Sequence, residues 1–588
     1  MPVDDDEDED SGDEVDEARP PRKRAKKTGP PKRARLWKKE DISHPPLPEY
    51  HHPRPDFLLQ PYEFFLRMFP IELMEDIVYQ TNLYARQKDV STSFSIDVND
   101  LMVFVGIVLY MGVVHMPSID DYWAVHTRIP QITEYMTSKR FKQIRSTLHF
   151  NNNETAKSST DRFYKVRPLF SGITKQFLQV KATPTQSVDE VMVAYKGTMA
   201  GNLRQYIANK PDKFGYKLFC RASIDGFIHD MLMYQGETTF SSHPVDLCEE
   251  EEQHLMSSKL VLVLAKTIQD LKNTTIYADN YFTSIQLVEY LKDKYQCRYV
   301  GTARPNRTGN APLMSRKEME KKSTPRGKHD HVSCNGVLAM VWKDNKPVTL
   351  LSSHAGVEPI STAKRWDKDT KKKVEVPCPA VIKEYNGKMG GIDKSDMLTH
   401  LYKSPMKSRR WYLRLFGYVV DVCTSNAWIL YKRDCKALSQ KPMSLKMFRL
   451  EISNFARCYK TKPTRKLRST PEEQPFVLPK KGQRSSRPSD NLRYDQAKFH
   501  CPVFVKLRMT CKFCSAKDDM HRSRWVCNIC QVALCLTEKK NCFRDFHDYH
   551  PRSSTSPGAS PRSPTPTSRS PTPTSRSATT SPTPASTH

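Results

Sequence analysis

Six cysteines and two histidines crowd one stretch near the end of the chain, spaced Cys511-x2-Cys514-x12-Cys527-x2-Cys530-x4-Cys535-x6-Cys542-x4-His547-x2-His550. Eight soft ligands arranged in pairs suffice for two tetrahedral zinc ions. A segment of roughly forty residues has too little core to fold without metal, so the alternative of reactive or merely buried thiols leaves it with nothing to fold around. A second chemistry is carried by carboxylates. Asp189 lies in VDEVMVAYKG beside Val188, Val191 and Val193, Asp279 ends TTIYAD, and Asp393 follows the bend Gly390-Gly391. Asp396 falls three residues later, on the same face of the helix that Asp393 opens. A carboxylate held among valines is costly unless a cation meets it. Hard oxygen ligands gathered from strand ends and one helix are the means of holding two Mg²⁺ ions for in-line displacement at phosphorus. Taken singly, each has a plainer use: Asp189 can bond neighbouring backbone, Asp279 can cap the next helix, and Asp393 can be an N-cap with Asp396 in the first turn.

A third group is basic and aromatic. In YKSPMKSRRWYLR, Lys407, Arg409 and Arg410 can meet phosphates and Trp411 can stack on an unpaired base, or Trp411 can simply begin the hydrophobic face of its helix. Lys210, Lys213, Lys217, Arg304 and Arg307 are further phosphate candidates, with a solvated basic face as the competing description.

The elements that must position these groups belong to a chain of 588 residues, long enough for several domains and more than one core. Its 93 Lys and Arg against 65 Asp and Glu leave a formal charge of +28, which points to a polyanionic partner, nucleic acid before an acidic membrane. A hydrophobic content of 38% excludes disorder of the whole chain, while 42 prolines predict extended tails or linkers. The opening residues hold no secretory signal, and the most apolar run, Leu101 to Val114, is too short to span a bilayer and predicts a buried helix. An intracellular chain with 15 cysteines is not expected to rest on disulfides.

Residues 1 to about 50 pass from an acidic to a basic block and predict a disordered tail. Its clusters Arg22 to Lys27 and Lys32 to Lys39 match a nuclear import address, or a flexible arm that touches phosphates. Residues 55 to 165 have helical spacing. From Gln186 the texture becomes short β-branched and aromatic runs, with a hairpin turn at Asp225-Gly226, and TTIYADNYFTS feeds a helix at IQLVEYLKDKY. Residues 301 to 375 read as irregular and basic, the helical pattern returns from Gly391, residues 460 to 500 look like a linker, and the Ser/Thr/Pro run from Pro551 to His588 predicts a disordered end.

The blocks VDEVMVAYKG, GNLRQYIANKPDKFGYKLF, IYADNYFTS, GTARPNR and YNGKMGGIDKSDMLTHLY, then SRRWY and a helix holding Asn426, together resemble the piggyBac family of DNA transposases and genes derived from them, from about Pro55 to His550. The resemblance implies a multidomain α+β chain with an RNase H-like mixed α/β core, residues 186–300 and 376–403, interrupted by an insertion domain at 301–375. It implies a helical DNA-binding and dimerisation domain at 51–185 and 404–480, a linker at 481–507 and a cysteine-rich domain at 508–550. Asp189, Asp279 and Asp393 match the metal-binding triad and Asp396 a fourth acidic position. Trp411 is implied at the cleaved DNA end. Related cross-brace domains imply one zinc on Cys511, Cys514, Cys535 and Cys542 and another on Cys527, Cys530, His547 and His550, although the last two pairs depart from the family's spacing. The implied activity is Mg²⁺-dependent cut-and-paste transposition by a nuclear homodimer: nicking at terminal inverted repeats of double-stranded DNA, hairpin formation and opening, and joining at TTAA. The alternative is a nuclear DNA- or chromatin-binding protein that keeps the fold without cutting, and a zinc module that reads a protein tail is a third possibility.

Overall fold

The computed structural model describes residues 34–459 and 488–548, apart from 44–45, 47–48, 199–200, 209, 211, 368–369, 407, 496–499, 517 and 538. The chain divides into two units, Met1–Arg465 and Lys466–His588.

The first unit begins its helical part with α1 (Pro61–Met68), α2 (Ile71–Lys88), α3 (Val98–Val113), α4 (Ser138–Thr147) and α5 (Arg167–Gln179). The apolar run is α3, started by a capping box in which Asp97 and Asp100 satisfy each other's backbone N–H. It is buried along nearly its whole length because Gly106 and Gly112 let a later helix approach: a Cβ on Gly106 would lie 2.9 Å from Ala456 Cβ.

A nine-stranded sheet follows, built from β1 (Thr185–Ala194), β2 (Gln205–Tyr206), β3 (Phe214–Ser223), β4 (Ile228–Met233), β5 (Thr275–Ala278), β6 (Arg298–Thr302), β7 (His329–Cys334), β8 (Val337–Lys343) and β9 (Pro347–Ser352). The order is β2-β3-β1-β5-β6-β9-β8-β7, with β4 also on β3. β1, β5 and β6 are parallel neighbours, and the remaining pairs are antiparallel. Alternation along β1 sends Val191 and Val193 into the core shared with the helices, while Val188 joins Phe219 in the core on the other side. That second core is closed by α6 (Met256–Lys266) and α7 (Ile285–Tyr295). The Asp225-Gly226 turn joins β3 to β4, with Gly226 at φ +99° where a side chain would be strained.

Residues 301–375 are not irregular. They hold β7, β8, β9 and a separate hairpin of β10 (Ser361–Asp367) and β11 (Lys372–Cys378), whose strand starts at 372. β9 pairs with β6, so this region extends the core sheet instead of standing apart from it. The tail reading of residues 1–50 is likewise corrected: residues 34–42 lie against the first unit, with Lys38 exchanging two backbone hydrogen bonds with Ser333 of β7. The cluster Arg22 to Lys27 lies outside the described residues.

The chain then forms α8 (Ala380–Lys388), α9 (Gly391–Leu401), the long α10 (Trp411–Ala437) and α11 (Leu445–Cys458). Asn426 on α10 is fully buried and bonds both the N–H and the C=O of Ile228, tying the helices to β4. Arg449 of α11 is also buried, donating to Leu109 O, Ser404 Oγ and Asp421 Oδ1 at 3.0, 2.8 and 2.9 Å. Removing one partner leaves the other charge stranded, so Asp421→Ala is expected to destabilise by about 3–5 kcal/mol. Thermal denaturation checks this, and an unchanged Tm would contradict it.

The second unit pairs β12 (Pro502–Thr510) with β13 (Arg522–Cys527) and ends its described part in α12 (Cys542–His547). Its described part includes residues ahead of 508. Arg493 donates to Phe546 O and lies 4.2 Å from that ring's centroid, and β12 starts at Pro502. Residues 551–588 lie outside the described residues. Among the described residues no helix is long and apolar enough to cross a membrane.

Candidate active site and metal centres

Parallel pairing sets the first two carboxylates side by side. Val188 of β1 is in register with Ala278 of β5, so Asp189 and Asp279 occupy the next position at the same end of adjacent strands. Asp189 Oδ1 accepts from Glu190 N at 2.8 Å, and Asp279 Oδ1 accepts from Tyr281 N at 2.8 Å. Burial and the charge of Glu190 push the Asp189 carboxyl up to about 8, and Asp279 is raised by burial too. For Asp189 the foreseen backbone bond and desolvation are present together, whereas Asp279 does not cap the next helix, whose N-cap is Ser284.

The third element is α9, which packs on β1 and β3. Gly391 permits it: a Cβ there would lie 2.5 Å from Ser187 Oγ and 2.6 Å from Ser223 O. Gly390 is the N-cap, and Asp393 stands exposed in the first turn. Asp396 is half-buried, and burial pushes its carboxyl up to about 6. Tyr385 of α8 lies among these acids. Its phenol is pushed up to about 12 by burial, with further contributions from Asp279, Asp189 and Asp393. Tyr385 was not singled out in the sequence, although YNGKMGGID places it eight residues before Asp393.

The cations divide into two kinds. Lys217 projects beside the carboxylates between two aromatic faces, 4.7 Å from the Phe219 centroid and 4.9 Å from that of Tyr281. Its pKa is lowered by burial against the opposing pull of Glu190, Asp189 and Asp279. Lys210 donates to Glu190 O at 3.3 Å, and Lys213 is exposed. Arg304 is exposed, with Nε 3.5 Å from Asn280 Oδ1, next to Asp279. By contrast, Arg307 is used internally, donating to Tyr281 O at 2.6 Å. Arg409 is exposed, Arg410 donates to Ser146 O, and Lys407 lies outside the described residues. Trp411 is half-buried against Phe163 and Tyr216, with ring centroids 6.0 and 5.8 Å away, as befits the start of a helix's hydrophobic face.

Among the described residues, only two sets bring three or more Cys, His or carboxylate ligand atoms within 4.8 Å of one another, and both are in the second unit. Cys511, Cys514, Cys535 and Cys542 form one, with Cys514 Sγ and Cys535 Sγ 3.8 Å apart. Tetrahedral zinc with roughly 2.3 Å bonds separates its sulfurs by about that distance. The other set is Cys527, Cys530, His547 and His500. His500 Nδ1 lies 3.3 Å from Cys527 Sγ, and His547 Nε2 lies 3.4 Å from Cys530 Sγ. His547 Nδ1 is 2.7 Å from Phe543 O, a contact that turns Nε2 toward the sulfurs. His550, expected in this set, lies outside the described residues, and His500 stands in the fourth position. Among the described residues no cysteine is in a disulfide. Each set can hold a metal ion, and the donors suit zinc.

A family profile described as Transposase IS4 matches residues 60–428. Human PiggyBac transposable element-derived protein 3 is 30% identical over 443 residues, covering 74% of this chain and 71% of that protein. Human PiggyBac transposable element-derived protein 2 is 28% identical over 459 residues, covering 73% and 72%. Among solved structures, the piggyBac transposase in a synaptic complex with hairpin DNA shares the fold with TM-score 0.58 at 21% identity, covering 81% of this chain and 95% of that one.

Proposed function

The chain belongs to the piggyBac family of transposases and transposable element-derived proteins, and on that footing we propose that it is a DNA transposase, cutting and joining double-stranded DNA at terminal inverted repeats and TTAA sites. The observation that carries this reading is the register of β1 and β5, which sets Asp189 beside Asp279 at the strand ends, with α9 and its Asp393 and Asp396 packed on β1. The strand order β4-β3-β1-β5-β6, antiparallel then parallel, supports an RNase H-like core, and residues 301–375 would be an insertion whose strands β7–β9 continue the core sheet.

Asp189 and Asp279, half-buried at one end of the sheet, and Asp393, exposed in the first turn of α9, offer hard oxygen donors suited to divalent cations and are the residues that would hold Mg²⁺. Bound there, Mg²⁺ supplies Lewis-acid stabilisation of charge on the phosphate and lowers the pKa of a coordinated water. The chain's own groups do the rest. Lys217, fixed between Phe219 and Tyr281, balances the acids from one side. Arg304, Lys213 and Arg409 are exposed for phosphate, whereas Arg307 holds the turn at Tyr281 and Arg410 ties to the end of α4. Zinc on the two Cys/His sets orders the C-terminal unit, which would read the element ends. Homodimer formation and nuclear action belong to the same proposal. Nuclear entry rests on Arg22 to Lys27, because Arg35 and Lys39 of the second basic cluster are engaged in ion pairs.

An excision assay tests the reading: a marker flanked by the repeats adjoining the gene is expected to be removed in cells, restoring TTAA. A protein that occupies the repeats but never releases the marker would be a DNA-binding derivative.

A further inference from the structure

Residues 35–39 read in sequence as part of an address and 40–42 as part of a tail, yet each charged group of this strap but two has a partner elsewhere in the fold. Arg35 forms a two-pronged pair with Glu289 of α7, Nε to Oε1 at 2.8 Å and Nη2 to Oε2 at 2.6 Å, with side chains only 7% and 8% exposed. Trp37 packs on the core that contains Phe282, Leu287 and Val288. Lys38 adds its backbone to the edge of β7, and Lys39 pairs with Asp330, whose other oxygen accepts from Met314 N at 2.8 Å. Asp41 accepts from Val357 N and Glu358 N at 2.8 and 3.0 Å, and Ile42 enters a third core with Leu338 and Met340. Lys38 and Glu40, both exposed, face each other at 3.9 Å.

The strap also underlies the loop that carries Arg304. Residues Pro305–Arg307 form a tight turn, knotted by Arg307 N to Arg304 O at 2.8 Å and Thr308 Oγ1 to Pro305 O at 2.9 Å. Its far end is Gly309 at φ +69°, where a Cβ would lie 3.3 Å from both Nε and Nη1 of Arg35. The guanidinium, locked by Glu289, therefore forms the floor on which the loop rests together with Ile285 of α7, whose Cγ2 would lie 3.0 Å from that Cβ, and Arg304 is exposed on the loop beside Asn280.

We infer that Arg35 is a positioning residue for DNA binding: paired with Glu289, it sets the 303–310 loop so that Arg304 meets a phosphate next to the carboxylates. A rigid floor matters because a phosphate contact held in place forms without a further ordering cost. Arg35 is itself too buried to touch DNA, so any effect of changing it on phosphate binding passes through the loop. This rests on the transposase reading, in which Arg304 is a phosphate contact.

The test measures binding of the full chain to a short duplex centred on TTAA, across a salt series, for wild type, Arg35→Gln, Arg304→Gln and the double variant. Arg35→Gln is expected to weaken binding about tenfold and to lower the salt slope by about one phosphate. Adding Arg304→Gln should then cost nothing further, and Arg35→Glu with Glu289→Arg should restore part of the loss. Where Arg35→Gln melts near the assay temperature, Arg35→Lys, which keeps the charge and loses the fork, is expected to show the same non-additivity with a smaller loss. Wild-type affinity in folded Arg35 variants, or losses that multiply with Arg304→Gln, would overturn the inference. A wild type that binds no duplex at all would instead overturn the transposase reading beneath it.

Discussion

Asp189→Asn, Asp279→Asn and Asp393→Asn are each expected to lower the rate of DNA nicking by at least about a thousandfold while leaving DNA affinity equal or higher. The amide keeps the carboxylate's shape but gives up the charge that would hold a divalent cation, and electrostatic stabilisation at the reacting phosphate is the largest share of such catalysis. Affinity should survive because each Asp also repels phosphates. The structure adds a control that the sequence lacked. Asp189 and Asp279 both accept backbone N–H groups, from Glu190 and Tyr281, and an Asn side-chain oxygen can keep those bonds while removing a charge that burial disfavours, so these two variants should melt no lower than the wild type. Asp396→Asn is expected to impair nicking less, since Asp396 sits one turn along α9 from Asp393. Single-turnover nicking beside equilibrium binding checks all four. A triad variant that cuts at the wild-type rate would remove that residue from the site.

Chelating zinc is expected to unfold the C-terminal unit and leave the first unit's melting transition in place. The second unit's described core is largely the ligands themselves, Cys511, Cys527, Cys530, Cys535 and Cys542, joined by Val532, Leu534 and Phe546. With so little apolar area to bury, binding and folding are one equilibrium. Elemental analysis of the full chain should give two zinc ions. His500→Ala and His547→Ala should each bring the count to one, and His550→Ala should leave it at two. Limited proteolysis after chelation should cut within residues 488–548. A count of two in His500→Ala together with a count of one in His550→Ala would reinstate His550 as the ligand.

Much of the arrangement was legible in the residues because local pattern and tertiary role agree there. VDEVMVA alternates and is β1, Asp225-Gly226 turns, TTIYAD feeds a helix capped by Ser284, and the long apolar run is a buried helix. What escaped was order supplied by distant partners. Residues 34–42 end a basic block and mix charged with apolar residues without periodicity, and the acids that hold Arg35 and Lys39, Glu289 and Asp330, lie 254 and 291 positions away. Strand β7, HDHVSC, has too few apolar residues to declare itself, although Asn335-Gly336 is a hairpin signal, both residues at positive φ between β7 and β8. His500 falls outside every Cys pair, 27 positions before its nearest sulfur neighbour at Cys527. Its place one residue before Cys501 and two before the strand that leads to Cys511 was the available hint.

The measurement closest to the central claim is strand cleavage by the unaltered protein. Full-length chain, with zinc present, is incubated with an end-labelled duplex carrying the terminal repeat and TTAA that adjoin its own gene. With Mg²⁺ a nick at the repeat boundary followed by a hairpin product is expected, and neither product with EDTA. A duplex fully shifted by the protein yet intact in Mg²⁺ and in Mn²⁺ would contradict it, leaving Asp189, Asp279 and Asp393 as parts of a DNA-binding scaffold.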